Sequence, residues 1–334
     1  MATSVLPDSF MAVRSDYIDK RVVSKLVPLR LDDLSPGEVI IRTQYSGVNY
    51  KDCLSIKGKA KVIASYPRIA GVELVGEVVE SSVDAFSSGQ SVIVHGFQTG
   101  IAFDGGFAEY ARVPAAHIMP IPEELSPWQA AMIGVPGFTV AMVLERFQQL
   151  GIQPGSGTIA VSGATGAVGV LTILILSRAG YRVAALTRRT EVAAALEALG
   201  ASEIIDANTI ENESKLVEKA RFAGAVDNVS GPTLSWLLRS LQEGGALASV
   251  GNASGNSFET NVLPFILRGV NMFGIVANAP WPVRHRLWKK LATDWRPDLS
   301  LLESHIHTIG IGDLLEYSER HLSGKTSGRT LLRF

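Results

Sequence analysis

The run Thr158-Ile159-Ala160-Val161-Ser162-Gly163-Ala164-Thr165-Gly166-Ala167-Val168-Gly169 decides the fold. A β-branched, apolar stretch enters a glycine-rich turn. Val170 to Leu176 then opens an apolar helical pattern that stops at Gly180. Strand, glycine turn and helix, in that order, form a dinucleotide site. The turn lets backbone N–H groups approach a pyrophosphate, and the helix N-terminus adds partial positive charge. The spacing is Ala164-x-Gly166-x-x-Gly169, so alanine replaces the first glycine. A glycine motif alone is a weak signal; here its context carries the reading. Thr165, Gly166, Ala167 and Val168 are therefore candidate cofactor contacts.

The end of the next strand, about 20 residues on, meets the adenosine ribose in such folds. The apolar run 181–186 arrives there and ends in Thr187-Arg188-Arg189. No carboxylate stands where an NAD enzyme holds the ribose diol. A hydroxyl and two guanidinium groups stand there instead, and arginine forks match phosphate geometry while staying charged. This predicts NADPH rather than NADH. The alternative is that one arginine, Arg189 more than Arg188, is simply solvated.

The chain has 334 residues, which favours two domains. Its net charge of −1 favours neither nucleic acid nor a membrane surface. A single cysteine, Cys53, excludes an intramolecular disulfide and a cysteine-built metal site, and points to a reducing compartment. The start, Met1-Ala2-Thr3-Ser4-Val5-Leu6-Pro7-Asp8, lacks a charged n-region and an apolar h-region. No uninterrupted apolar run reaches the roughly 20 residues of a spanning helix. A cytoplasmic protein is the expectation.

Residues 10–15, 39–45, 74–81, 90–95 and 107–113 read as short strands separated by Gly, Pro, Asp and Ser. Without long helices between them, they predict an antiparallel, barrel-like domain. The pattern changes at Ser126-Pro127-Trp128, where a serine cap and a first-turn proline open a helix over 128–132. A second helix is predicted at 139–150. Beyond 158, strands (202–205, 225–229, 246–250, 271–276) alternate with helices (191–199, 232–242), which means a parallel sheet covered by helices. A helix over 311–322 and a strand over 329–333 return to the first domain. The expected division is 1–125 plus 302–334, with 126–301 as the dinucleotide domain.

Ser46-Gly47-Val48-Asn49-Tyr50-Lys51-Asp52 follows a strand and opens a helix-like stretch. Asn49 and Asp52 suit helix caps, the commoner use of these residues, or catalytic roles. The Tyr50 phenol can donate a proton or a hydrogen bond.

At this point the chain resembles a known family. The domain order is similar to that of the medium-chain dehydrogenase/reductases. Gly47-Val48-Asn49-Tyr50-Lys51-Asp52, Pro67-Arg68-Ile69-Ala70-Gly71-Val72-Glu73-Leu74-Val75-Gly76 and Gly134-Val135-Pro136-Gly137-Phe138-Thr139 resemble its zinc-free quinone oxidoreductase subgroup. Leu263-Pro264-Phe265-Ile266-Leu267-Arg268-Gly269-Val270 and Ser327-Gly328-Arg329-Thr330 are similar to the acryloyl-coenzyme A reductase branch. The implied fold is α/β: a doubly wound Rossmann sheet inserted in a GroES-like β-barrel domain.

The resemblance implies no metal. Alcohol dehydrogenases of the superfamily take zinc on a cysteine matching Asn49 and a histidine matching Val72, and neither ligand type is present. The six histidines are scattered. A conjugated acceptor, an enoyl thioester or else a quinone or enone, suits such a site. Tyr50 is the first candidate for proton delivery or enolate support. Asn49 is implied to contact the nicotinamide or ribose, and Asp52 to hold the loop.

Thr139, Gly251, Asn252 and Ala277 are further candidate cofactor contacts. Arg329 would reach a cofactor or coenzyme A phosphate, or else lie at a sheet edge in water. Lys57, Lys59 and Lys61 form a basic loop, either merely solvated or attracting a coenzyme A phosphate. The partners implied are a small-molecule substrate and a second copy of the chain paired through the apolar strand 271–276, with no nucleic acid and no membrane. A cofactor-binding protein without turnover is a reading of another class; the presence of Asn49, Tyr50 and Asp52 together argues against it.

Overall fold

The computed structural model describes residues 6–210 and 215–334. The first five residues of the N-terminal stretch read above lie outside them. Two compact units are present: residues 1–135 with 306–334, and residues 136–305.

The first unit opens with β1 (Phe10–Ile18), β2 (Arg21–Leu29), β3 (Val39–Val48), helix α1 (Tyr50–Ile56), β4 (Arg68–Ile69), β5 (Glu73–Ser81), β6 (Ser91–His95), β7 (Tyr110–Val113) and β8 (Ile118–Pro120). Strand β2 has no counterpart in the sequence reading. It is an edge ribbon with Lys25 and Pro28 in it, and the β1–β2 turn uses Asp19 and Lys20 at φ 48° and 62°. A turn of this kind normally advertises itself with glycine. The strand predicted at 107–113 forms only over Tyr110–Val113.

Helix α2 (Pro127–Gln149) runs from the first unit into the second. The two helices predicted at 128–132 and 139–150 are the two helical segments of Pro127–Gln149, which meet at non-helical backbone at Gly134 (φ 46°, ψ −155°). The break that composition places at Ser126–Pro127 is where α2 begins, while the units divide after Val135. By length and composition α2 would suit a membrane span, although polar residues interrupt its apolar run; 78% of its most apolar window is buried in protein.

The second unit continues with β9 (Thr158–Val161), α3 (Ala167–Arg178), β10 (Arg182–Thr187), α4 (Ala193–Ala198), β11 (Glu203–Asp206), β12 (Phe222–Asp227), α5 (Gly231–Arg239), β13 (Leu241–Ser249), α6 (Leu263–Arg268), β14 (Asn271–Gly274), α7 (Trp281–Ala292) and α8 (Leu299–Glu303). Its six strands pair in parallel in the order β11-β10-β9-β12-β13-β14. This is the doubly wound dinucleotide order, and its direction reverses between β9 and β12. The helix predicted over 232–242 stops at Arg239, because Leu241 turns inward to pair with Phe222 and is fully buried.

The tail supplies β15 (Ile306–Ile309), α9 (Leu314–Leu322) and β16 (Arg329–Arg333). β16 pairs antiparallel with β3, Thr330 opposite Val48 and Leu332 opposite Ser46, so the last strand returns to the first unit as expected. Leu331 and Leu332 face opposite sides of the strand and both are fully buried, which fixes its register.

Candidate active site

Strand β3 ends at buried Val48, and Asn49 caps α1 with extended backbone (φ −102°, ψ 157°). Tyr50 and Asp52 thus fall in the first turn. Asp52 Oδ2 accepts from Asn49 N (3.1 Å) and Asn49 Nδ2 (3.1 Å), and Oδ1 accepts from Val72 N (3.1 Å). Both oxygens are occupied in holding the loop, and the residue is buried. Burial pushes its carboxyl up to about 6, against the opposing pull of Lys51 and of the Asn49 bonds.

Asn49 Nδ2 also donates to Glu73 Oε1 (2.9 Å). Glu73 is a residue the sequence reading did not single out. In an unbroken α2, Val135 N–H would donate to Ala131 O. Here Val135 N donates instead to Glu73 Oε2 (2.8 Å), and Ala131 O accepts from Arg329 Nε (3.0 Å) and Nη2 (2.8 Å). Arg329 Nη2 meets Glu73 Oε2 at 3.0 Å. The ion pair takes the place of one helical hydrogen bond, and Pro136, which has no N–H, tolerates the break. A Cβ at Gly134 or Gly47 would strike the pair, so both positions need glycine.

Arg329 is therefore not a solvated sheet-edge residue: its side chain is 1% exposed. Its Nη1 is also buried and has no hydrogen-bond partner among the described residues.

Tyr50 is half-buried, its ring 6.0 Å from that of His321. His321 Nδ1 lies 2.7 Å from Thr326 Oγ1 and 3.2 Å from Tyr317 Oη, and burial pushes its pKa down, so the imidazole is neutral at pH 7. The Cys53 thiol, pushed up to about 12 by burial, is inert. Among the described residues no group of three or more His, Cys, Asp or Glu could hold a metal ion.

In the second unit Gly166 caps α3 and Ala167 opens it. Gly163 takes the left-handed conformation (φ 58°), and Gly166 N donates to Gly163 O (3.0 Å). Gly163, not the residue at 164, supplies the first glycine of the turn. Ala164 is buried, so its methyl costs the turn nothing. A Cβ at Gly169 would strike Gly163 O and Ala164, whereas one at Gly166 would meet nothing nearer than 3.5 Å. The turn is closed on the protein side and open at Gly166, whose own N–H is spent on Gly163 O.

Where the strand order reverses, Asp227 at the end of β12 is fully buried and accepts from Ser162 Oγ (2.6 Å) and Ser230 N (2.8 Å). Burial raises its pKa. Asn228 donates from N to Ser162 Oγ (2.9 Å) and from Nδ2 to Ser162 O (2.8 Å). Its Oδ1 is buried without a partner among the described residues, and a Cβ at Gly251 would strike its backbone. A buried acceptor beside two glycine turns fits a ligand donor there. The sequence signal, Asp-Asn closing a strand, becomes readable only when the switch point is known. Gly251 N donates to Asp227 O (3.1 Å), while Asn252 is exposed and bonds Asn256 Oδ1 (2.6 Å).

Thr187 closes β10, buried, its Oγ1 accepting from Arg189 N (3.0 Å); its hydroxyl thus shapes the turn that carries exposed Arg188 and half-buried Arg189. Thr139 is buried on α2 next to Phe138. The Arg284 guanidinium lies 5.4 Å from the Phe138 ring centre and 5.5 Å from that of Trp281, and its Nη2 donates to Asn278 Oδ1 (3.0 Å). Arg284 is 1% exposed, and burial lowers its pKa to about 10, which leaves it charged at pH 7. It ties the helix of Thr139 to the loop of half-buried Ala277. Nothing in the local sequence marks it.

Residues 35–123 match the family described as alcohol dehydrogenase GroES-like domain, and 167–294 the family described as zinc-binding dehydrogenase. The Bacillus subtilis (strain 168) protein named quinone oxidoreductase YhfP is 37% identical over 86% of this chain and 88% of its own length. Its crystal structure with NAD bound has a TM-score of 0.92, covering 98% of this chain and 100% of that one at 34% identity. The acrylyl-CoA reductase AcuI of Ruegeria pomeroyi is 35% identical over 96% of this chain and 98% of its own. The Salmonella enterica yhdH oxidoreductase in complex with NADP gives a TM-score of 0.91 at 33% identity, covering 97% and 99%. This chain belongs to the medium-chain dehydrogenase/reductase superfamily, as an oxidoreductase of the branch that contains quinone oxidoreductase YhfP and the acrylyl-CoA reductases.

Proposed function

We propose that this chain is an NADPH-dependent reductase of a small α,β-unsaturated acyl-CoA, acting without a metal. The relative named acrylyl-CoA reductase, similar over 96% of the chain, supports the substrate class. The observation that carries the choice of cofactor is the end of β10, where Thr187-Arg188-Arg189 stand with no carboxylate among them and Arg188 is exposed. An arginine fork there suits a 2′-phosphate and wastes its charge on a ribose diol.

When bound, reduced nicotinamide supplies the hydride that adds to the β-carbon, and charge collects on the thioester oxygen. The chain's own groups serve that charge. Tyr50 donates a hydrogen bond to the oxygen or a proton to the α-carbon. Asn49, whose Nδ2 donates to Asp52 and Glu73, is held in one orientation for a cofactor contact. Thr139 and Ala277, tied through Arg284, frame the nicotinamide side. Thr165, Gly166, Ala167 and Val168 hold the pyrophosphate, with Gly251 and Asn252 beside them.

Reduction of a quinone or enone is the second reading, favoured by the likeness to YhfP. Acryloyl-CoA and a simple naphthoquinone, each assayed with NADPH and with NADH, separate the readings. Turnover of the naphthoquinone alone would remove the thioester, and an equal kcat/KM with both coenzymes would remove the NADPH preference.

The small-molecule enzyme is proposed to work as a homodimer joined along β14, the edge strand of the parallel sheet. Val276, just beyond that strand, is 73% exposed, and Ile266 and Leu267 on α6 are 69% and 63% exposed. Gel filtration giving a monomer would reject the pairing.

A further inference from the structure

The β1–β2 hairpin carries an aromatic platform beside the lysine-bearing loop, and the proposed hydride and proton steps use neither. Tyr17 is 59% exposed and stacks on Tyr66, ring centres 5.7 Å apart and planes at 27°. Val22 stands opposite Tyr17 in the hairpin. Gly58 lies against Val22: a Cβ at Gly58 would come within 2.9 Å of the Val22 Cβ, so glycine allows the loop after α1 to pack on the hairpin here. Ser24 Oγ, on the same hairpin face, donates to Ile56 O at 2.7 Å.

The loop is built rather than slack. Lys57 N donates to Cys53 O (3.1 Å), Lys59 N to Leu54 O (2.8 Å) and Ala64 N to Ile101 O (3.0 Å), while Ile63 is buried. It carries Lys57, Lys59 and Lys61. Lys57 pairs with Glu319 at 2.6 Å. The Glu319 carboxyl is held below the usual range, chiefly by Lys57 and also by Lys59. Lys59 and Lys61 are exposed and make no ion pair among the described residues.

We infer that Tyr17, Tyr66, Lys59 and Lys61 form the subsite for the adenosine 3′,5′-bisphosphate end of a coenzyme A thioester; this rests on the acyl-CoA reading above. A purine stacks on an exposed aromatic face whatever its edge pattern, and the two phosphate positions of this group are what two exposed lysines attract. The placement suits the length of the ligand. Helix α1 joins Tyr50 at its first residue to the lysine loop just past its last, a span of about 10 Å for seven residues. An extended pantetheine arm bridges that span, which puts the acyl group at Tyr50 when the nucleotide lies on the platform.

The test compares acryloyl-CoA with acryloyl-N-acetylcysteamine, which lacks the nucleotide, in the wild type, the Lys59→Glu/Lys61→Glu double variant and Tyr17→Ala. Charge reversal is expected to raise KM for acryloyl-CoA at least about tenfold, to move KM for the truncated thioester far less, and to flatten the rise of the acryloyl-CoA KM with salt. Tyr17→Ala should raise the same KM about threefold. An unchanged acryloyl-CoA KM, or equal shifts for both thioesters, overturns the subsite and leaves the reductase reading standing.

Failure of that reading has a different signature: the wild type reduces neither thioester. Binding of adenosine 3′,5′-bisphosphate with NADPH saturating, lost in the double variant, then keeps the subsite for another ligand with the same end group. Absence of that binding ends it.

Discussion

The two units build their sites by opposite means. In the second, one contiguous stretch, Ser162 to Gly169, makes the cradle out of backbone, and side chains matter mostly where they are absent. In the first, Asn49, Asp52, Glu73, Ala131, Val135 and Arg329 come from four separate places in the chain and make one hydrogen-bonded cluster. A backbone cradle tolerates exchange of side chains at its rim. A cluster of buried charges does not, because removing one partner strands another away from water.

That contrast sets the size of the expected effects. Glu73→Ala should cost on the order of 3–5 kcal/mol of stability, read by urea denaturation followed by circular dichroism, since Arg329 is left buried without its carboxylate. A loss below about 1 kcal/mol would mean that water reaches the pair and that the contrast is false.

Asp52 tests the same cluster through pH. Its folded pKa, about 6, lies above the unfolded value of 3.8, so the native state binds the proton more tightly. Its contribution is fully present below pH 3.8 and disappears as pH rises through about 6, a change on the order of 2–3 kcal/mol. Asp52→Asn should flatten that limb of the stability curve. An unaltered slope assigns the proton elsewhere.

For the chemistry, Tyr50→Phe should lower kcat about a hundredfold with little change in NADPH affinity, the range expected for a positioned proton donor. A full-rate variant removes Tyr50 from the reaction and leaves the loop as scaffold.

In the second unit, Arg188→Ala should weaken NADPH binding at least about tenfold and leave NADH nearly unchanged, since charge-assisted bonds contribute roughly 1.5–3 kcal/mol each. Equal losses would show that the rim of the cradle does not read the phosphate.

The smallest effect belongs to Arg284. Arg284→Lys should keep the affinity for 2′,5′-ADP, lower kcat about threefold and loosen the stereospecificity of hydride transfer, because lysine cannot lie flat on Phe138 while holding Asn278. Unchanged stereospecificity with a lowered Tm would reduce Arg284 to packing.

Much of the second unit is legible from local pattern. Its strand-turn-helix start, the arginines after β10 and the alternation of strands and helices depend on near neighbours, and periodicity reports near neighbours directly. The misplaced boundary at 239–242 came from Leu241, whose burial against Phe222 is invisible without the sheet. In the first unit the returning strand at 329–333 was readable as a strand, but the fate of Arg329 was not. An arginine beside a strand is solvated far more often than buried, and only Glu73 and the opened turn of α2 at Gly134 make burial tolerable.

Local chemistry alone determined that this chain has a glycine turn fit for a pyrophosphate, a basic end to its second parallel strand, and a polar Asn-Tyr-Lys-Asp turn between a strand and a helix. Each is a property of adjacent residues. Tertiary structure decided that Asp52 holds a loop, that Asn228 leaves a buried acceptor at the strand-order reversal, and that a salt bridge replaces a helical hydrogen bond. The reason is that burial and pairing change what an ionisable or amide group can do, and both are set by residues far away in the chain.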